Sequence, residues 1–430
     1  MPASVSELGR DSIDPFRGYS SDPAANFDPT DIALLTDVSF NHGQQPMSIG
    51  VSWSADVLDG VQAISAGFPG EAPYDSRVLY QTTGNLTTLV DYRALGLTSY
   101  EGQSGSGVWI IDPDTQAQVA IGILSTKAGN HVGGSLLLSP GDYLQISAAF
   151  EASGVTAEQA PIEYLYGSDN GGLLVGGEVE TITGTYLREI IRGDSVTSFG
   201  LFAGNDHLTG GGGSDVLQGM AGDDSLVGDG AGVSGAQIGN DFLDGGQNTL
   251  TFGQDTVLAG VDHTLATTIE IGHKSAHEDA FDVAGFPGVA LTDDVVVLEG
   301  TGGTDFVRNV ETISLVKSGS DTTTDTLKLY AFDAAALGQL EMIDLAGGLD
   351  VIDLGSLASG MSVTLDSEAR YTLTRMDGGE GQLVVWNANS IATPLDVSRE
   401  AEARFDGCLQ VVRRPWDHCG HYAGGGALAA

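Results

Sequence analysis

Positive charge is scarce in this 430-residue sequence: 17 Lys+Arg stand against 58 Asp+Glu, leaving a net charge of −41. Binding to a phosphate backbone needs clustered Lys and Arg, and docking on an anionic membrane needs the same, so no nucleic-acid partner is expected. Cysteine is nearly absent, with Cys408 and Cys419 both close to the C-terminus. About 400 residues without cysteine suit an exported bacterial protein that folds without disulfides, and equally a cytosolic one. No apolar run reaches the ~18–20 residues of a membrane helix, so no transmembrane segment is expected. The N-terminus, MPASVSELGRDSIDPF, has no basic start followed by an apolar core and does not read as a cleavable signal peptide. The chain therefore stays inside, leaves by a signal elsewhere, or has lost its true beginning.

Glycine and hydrophobic residues are plentiful. Hydrophobic residues make up 41%, too many for a wholly disordered acidic chain. The 62 glycines are about twice the usual share and follow no triplet period, which implies many backbone turns and hence β structure. The length allows two or three domains. Residues 1–152 carry short aliphatic and β-branched runs (IALLTDVSF, VQAISAGF, SGVWIID, QVAIGILS) broken by turn residues, as in an all-β barrel or sandwich. GDYLQISAAFEASG from Gly141 reads as a closing helix with apolar positions at Leu144, Ile146 and Phe150. Residues 153–200 read as a linker or transition, 201–260 as a repeat block, 261–395 as a β-rich region with looser echoes of the repeat, and 396–430 as an atypical tail.

The repeat runs in nines as LFAGNDHLT, GGGGSDVLQ, GMAGDDSLV, with Asp206, Asp215 and Asp224 in one phase and Leu208, Leu217 and Leu226 in another. The phase breaks over 228–238 and returns with Asp241 and Leu243, then with Asp255 and Val257. Nine residues make one Gly-rich turn and one short strand, so two units make one coil of a solenoid. Leucines then point inward and stack, while Asp206 and Asp224 lie on the same side of adjacent coils. Carboxylates stacked that closely repel unless a cation sits between them, and a hard dication wanting six to eight oxygens fits. A flexible linker would have no reason to hold Asp and Leu in phase.

This block resembles the calcium-binding β-roll of repeats-in-toxin proteins, built on G-G-x-G-x-D-x-(apolar)-x. The match is strong over 210–227, good over 201–209 and partial over 239–257. The resemblance implies one to three bound Ca2+ ions, with Asp206, Asp215, Asp224, Asp241 and Asp255 as metal-binding residues. It also implies a secreted bacterial protein that folds on reaching calcium-rich surroundings. Such proteins generally leave by a one-step route with an uncleaved C-terminal signal, although the GGGALAA end does not look like one.

The second constellation is EGQSGSGVWI from Glu101. A serine on a tight Gly-flanked turn is a candidate nucleophile, with the Gly102 and Ser104 amides able to converge on an oxyanion. AGFPGEAP at 66–73, VAIGILS at 119–125 and PTDIALL at 29–35 occur in the order found in trypsin-fold serine proteases of the glutamyl endopeptidase type. Over about residues 20–150 the chain resembles that family. The resemblance implies Asp31 as the orienting acid, Ser104 as the nucleophile, Gly102 and Ser104 as the oxyanion donors, and Ser99 and Leu124 at the specificity pocket. Glutamyl-specific members have a His where this chain has Leu124. The base is missing: trypsin-like order places it roughly 45 residues before the Asp, whereas only 30 residues precede Asp31 and none of them is a His. The chain thus reads as a protease lacking most of its first barrel.

The expected fold class is mainly β: an incomplete chymotrypsin-like double β-barrel, then a parallel β-roll solenoid, then a β-rich C-terminal region. The leading function is a secreted serine endopeptidase with a protein or peptide substrate and a calcium-binding module. Its rival is a non-enzymatic extracellular calcium-binding protein, adhesin- or matrix-like, with a relic protease segment; a cytosolic metal buffer is a third view. His273 and His277, spaced by four, could be metal ligands on a helix, but IGHKSAHEDA reads as an exposed polar loop. Cys408, His418, Cys419 and His421 match no standard zinc spacing.

Overall fold

The computed structural model describes residues 13–15, 33–35 and 47–392, apart from 54–56, 72–76, 90–91, 129–131, 158, 168–179, 195–203, 232, 234–236, 247–253, 259, 261–262, 264–265, 302, 316–322, 347, 366–369 and 376–380. Asp31, the expected tail and its Cys and His lie outside the described residues. Ile13–Pro15 and Ala33–Leu35 pair antiparallel.

The front segment is antiparallel. Its strands follow one another in space as Tyr80–Asn85, Gln62–Gly67, Gly107–Ile111, Gln118–Ala128, Val132–Leu137, Arg93–Thr98 and Thr87–Leu89. The sheet curls until its ends meet again, where Gly84 abuts the Gly96 carbonyl so closely that a side chain at either position would collide. Alternation places Ala63, Val108, Ile110, Val119 and Ile121 inside, all at most 1% exposed. A helix, Pro140–Ala152, closes the segment. Ser139 caps it, with its own backbone N–H bonding Asp142 in a reciprocal box, and proline stands in the first turn where no N–H is needed. Tyr143 and Ile146 are its buried apolar positions, whereas Leu144, expected inside, is 56% exposed. Tyr143 takes the inward place instead, its hydroxyl donating to the buried Glu189 carboxylate.

The described strands from Glu163 to Ala392 build one two-faced solenoid, most of them paired in parallel. One face stacks Ser48–Ser52, Glu163–Tyr166, Glu189–Arg192, Val216–Gln218, Phe242–Asp244 and Thr304–Arg308. The antiparallel Val296–Glu299 then links this stack to a second, made of Thr268–Ile271, Thr326–Leu329, Val351–Asp353 and Ser390–Ala392. The opposite face stacks Thr181–Thr183, His207–Gly211, Ser225–Asp229, Thr256–Leu258, Thr312–Ser314, Met342–Asp344 and Gln382–Trp386, and ends in an antiparallel meander through Arg370–Arg375 and Met361–Leu365.

The register makes one inward aliphatic column on each face. Leu165, Ile191, Leu217, Leu243 and Val307 run down one side, and Ile182, Leu208, Leu226, Val257, Ile313, Ile343 and Val385 down the other; all are at most 1% exposed. Consecutive repeat leucines thus lie on opposite faces, and each stacks on the copy two units away. The segment 153–200, expected as a linker, supplies three of these strands. The β-rich region after 260 is more of the same solenoid.

Barrel and solenoid share a core. Tyr164, Tyr166, Ile190, Val216, Phe242 and Phe306, on the outward side of the first face, pack with the barrel residues Ala63, Ile110 and Val119. Ser48–Ser52 pairs in parallel with both Gln118–Ala128 and Glu163–Tyr166, joining the two sheets through backbone bonds. A buried ion pair pins the join. Arg192 Nη1 donates to Asp112 Oδ2 at 2.5 Å and Arg192 Nε to Gln218 at 2.9 Å, while the Tyr166 hydroxyl donates to Asp112 at 3.2 Å. Burial pushes the Asp112 carboxyl up, but Arg192 outweighs it and holds Asp112 below its ordinary value.

Candidate metal-binding ladder

At every turn of the upper solenoid an acidic residue sits two positions before the inward aliphatic one. On one side the column is Glu163, Glu189, Asp215, Asp241 and Asp305; on the other it is Glu180, Asp206, Asp224, Asp255 and Glu311. In Glu163, Asp215, Asp241, Asp305, Asp206, Asp224, Asp255 and Glu311 one carboxylate oxygen accepts the backbone N–H one coil before it. Glu189 Oε1 instead accepts from the Thr185 amide and hydroxyl and from the Tyr143 hydroxyl. Glu189 N–H donates to Asp215 Oδ1 at 2.7 Å, Asp215 N–H to Asp241 at 2.9 Å, and Asp241 N–H to Asp305 at 2.9 Å. On the second side Glu180 N–H donates to Asp206 at 2.9 Å, Asp206 N–H to Asp224 at 2.8 Å, Asp224 N–H to Asp255 at 2.8 Å, and Asp255 N–H to Glu311 at 2.7 Å. The turn amides, orphaned where the strand ladder stops, are satisfied by side chains.

The second oxygen has a different fate. Asp206 Oδ2 and Asp224 Oδ2 are buried and have no hydrogen-bond partner among the described residues. They face glycine backbone instead. The space a Cβ would fill at Gly193 is bounded by Asp206 Oδ2 at 2.6 Å and the Gly219 carbonyl at 2.7 Å. Gly219 stands in the same relation to Asp224 Oδ2 and the Gly245 carbonyl, Gly210 to Asp215 Oδ2 and the Gly228 carbonyl, and Gly228 to Asp241 Oδ2. Glycine is required here by close approach: a methyl group would occupy the gap between two oxygens.

All five repeat aspartates are at most 2% exposed. Burial raises Asp206 to about 6. Burial, with the neighbouring charges of Asp255, Asp206 and Asp194 adding to it, raises Asp224 to about 9. Glu189 is raised to about 7, again by burial, and Asp215 is pushed well above its ordinary value by burial and by the charges of Glu189 and Asp241. Buried carboxylates without a compensating cation are costly, so the columns suit a ligand that brings positive charge and accepts oxygen donors. Paired carboxylate and carbonyl oxygens bounding a gap are the donor set of Ca2+, which holds oxygens at about 2.3–2.6 Å. The residues present fit that ion.

The structure brings Asp206, Asp224 and Asp255 together in one column and Asp215 and Asp241 in the other. The sequence reading missed Glu163, Glu180, Glu189, Asp305 and Glu311. A usable signal was there: each precedes an inward aliphatic residue by two positions, as in Glu180–Ile182, Glu189–Ile191 and Asp305–Val307, just as Asp206 precedes Leu208.

Ser104 lies on the exposed turn between Gly102 and Gly105, whose φ values are +93° and +84°. Its hydroxyl donates to the Ser125 carbonyl at 2.6 Å, and no histidine is among its partners in the described residues. The Ser106 and Gln103 amides are engaged by Gln103 and Tyr100 carbonyls, and the Gly105 amide by Leu124. Ser99 and Leu124, both buried, meet over Gly133, where an added Cβ would be 2.9 Å from each.

A family model for the RTX calcium-binding nonapeptide repeat, in four copies, matches residues 202–231. No curated protein and no solved structure matches the chain. Repeats of this kind bind Ca2+ and are typically found in proteins secreted by bacteria. No helix among the described residues is long and apolar enough to cross a membrane. Over residues 202–231 the chain carries the RTX calcium-binding nonapeptide repeat.

Proposed function

We propose that the chain is an extracellular calcium-dependent β-roll protein whose upper solenoid is completed by Ca2+. Asp206, Asp224 and Asp255 would hold ions in one row with carbonyls such as those of Gly219 and Gly245, and Asp215 and Asp241 would do so in the other. The observation that carries this reading is the pair of buried oxygens on Asp206 and Asp224 that have no hydrogen-bond partner among the described residues, each beside a glycine carbonyl. Calcium supplies the charge that lets these carboxylates stay ionised inside the fold, so its binding free energy becomes folding free energy. Calorimetric titration of the chelated full chain tests this. Calcium binding coupled to a gain of β structure is expected, and Asp206→Asn with Asp224→Asn removes part of the stoichiometry. Unchanged circular dichroism on chelation and no calcium heat would overturn it.

A second reading concerns the front barrel, and Ser104 favours it. An exposed hydroxyl on a Gly102/Gly105 turn, with Ser99 and Leu124 meeting over Gly133, suits a serine endopeptidase of the trypsin fold. Ser104 would attack, the Gly102 and Ser104 amides would hold the oxyanion, and Asp31 would orient a histidine base, which the 30 residues before it do not contain. A fluorophosphonate probe on the calcium-loaded chain tests it. Labelling abolished by Ser104→Ala upholds the reading, and no labelling leaves the non-enzymatic, adhesin-like alternative.

A further inference from the structure

Among the described residues, the solenoid holds one cluster of metal-ligating side chains outside the carboxylate columns. Glu270 lies on the outward side of Thr268–Ile271, since its neighbours Ile269 and Ile271 point into the core. The chain then crosses the edge of the sheet through a 3-10 turn, Lys274–Ala276, into the helix Glu278–Ala284. That crossing brings two imidazoles back over the same carboxylate. His273 Nδ1 is 2.7 Å from Glu270 Oε2, and His277 Nε2 is 3.0 Å from the same oxygen. The three ligand atoms all lie within 4.8 Å of one another.

We infer that Glu270, His273 and His277 form a second metal site, specific for a zinc-class divalent transition ion rather than calcium. Three observations support it. The donor set is two imidazole nitrogens and one carboxylate oxygen, which suits Zn2+, whereas Ca2+ takes oxygen ligands. Ligands about 2.0–2.1 Å from a tetrahedral ion lie roughly 3.3 Å apart, close to the 2.7 and 3.0 Å separations between Glu270 and the two rings. The rings and the carboxylate are also held from behind. Lys328, opposite Glu270 in the parallel register, donates to the other oxygen, Oε1, at 3.0 Å and leaves Oε2 to a metal. Tyr330 stacks on the His273 ring with centroids 3.8 Å apart, fixing its plane. Such outer partners are what orient metal ligands in built sites.

The position gives the ion a job in the fold. His273 and His277 flank the turn that leads into Glu278–Ala284, and Phe281 of that helix packs on Phe242 and Phe306 of the first face. A metal held between the sheet residue Glu270 and the two histidines would clip this covering helix to the solenoid. Without it the carboxylate is held by hydrogen bonds and the Lys328 ion pair alone.

The test uses the full chain in saturating calcium. Co2+ is added as the spectroscopic probe, followed by Zn2+ competition and equilibrium dialysis. One Co2+ per chain with the strong visible bands of tetrahedral coordination, displaced by Zn2+ and not by Ca2+, is expected. His277→Ala should weaken binding by more than the ~10–100-fold that loss of an outer partner costs. Glu270→Gln, closer in shape, repeats the test should the alanine variant lose β structure by circular dichroism. The double variant Cys408→Ser with Cys419→Ser separates this site from the tail, and retained Co2+ bands there are expected. The proposal is overturned by no binding, by bands unchanged in both His277→Ala and Glu270→Gln, or by bands lost only with the cysteines.

Discussion

The upper and lower halves of the solenoid share a backbone plan and differ in what holds it. Around residues 204–246 the turns are glycine, the coils are thin, and buried carboxylates stand on both sides. Below Thr268 the space between the faces is filled instead by Phe332, Leu337, Leu340, Leu345 and Leu354, all at most 5% exposed. There, among the described residues, a carboxylate column runs along one side, where Thr267 N–H donates to Asp325 at 2.7 Å and Asp325 N–H to Asp350 at 2.8 Å. Turn aspartates in this half find protein partners. Asp344 accepts the Ala346 amide at 2.9 Å and the Asn387 side chain at 2.6 Å, and at the border Arg308 pairs with Asp244 at 2.7 Å. An aspartate on a turn therefore does not by itself mean calcium. In the upper half, by contrast, Asp206 and Asp224 hold a buried second oxygen beside glycine carbonyls, with no hydrogen-bond partner among the described residues.

Chelation should break this comparison most sharply. In excess EDTA at neutral pH, hydrogen exchange is expected to lose protection first over Thr181–Leu258, while Thr326–Trp386 stays protected. Simultaneous loss in both halves would mean that one metal-held unit spans the solenoid. Next in size is the ion pair joining barrel and solenoid. Asp112→Ala removes the buried partner of the Arg192 guanidinium and leaves it only the exposed Asp114 carboxylate at 3.0 Å as an ion-pair partner among the described residues, and should cost about 3–5 kcal/mol in denaturant unfolding. Replacing both residues with apolar ones should recover much of the loss. In the lower half, Ile343→Ala opens a cavity in a fully buried column and should cost about 2–5 kcal/mol, with or without calcium. Asp224→Asn in the upper half should behave oppositely in the two conditions, lowering stability in calcium and raising it in EDTA.

A further effect is on pH. Asp206, Glu189 and Asp224 are raised to about 6, 7 and 9, against unfolded values of roughly 4. The calcium-free folded state thus binds more protons than the unfolded one across that interval, and stability must fall as pH rises from about 4 to about 9. The melting temperature in EDTA should be higher at pH 5 than at pH 8. In calcium the order should reverse, because protons compete with the ion for the same oxygens. A flat profile in EDTA would show that these carboxylates are already neutralised by other groups.

Much of the upper solenoid was legible because its coil is short. Asp206 and Asp224 are 18 residues apart, two repeat units, so period and stacking coincide. On the other column the same stacking step takes 26 residues from Glu189 to Asp215 and again to Asp241, and 64 from Asp241 to Asp305. Inserted segments leave the register intact but erase the period, which is why the strands in 153–200 read as linker. Likewise IGHKSAHEDA looks like an exposed loop until the parallel register puts Glu270 beside Lys328 and the chain folds back over both.

The sequence alone determined the local chemistry: glycine where backbones must approach, aspartate two positions before an inward aliphatic residue, and an excess of negative charge that demands a cation. These follow from nearest-neighbour geometry along nine residues. Only the tertiary structure decided how far the solenoid runs, that Ser48–Ser52 fuses it to the barrel through shared strands, and which carboxylates keep a bare oxygen. Those facts depend on pairings between residues tens of positions apart. Such pairings are fixed by hydrogen-bond register and burial in three dimensions, and no short-range pattern carries them.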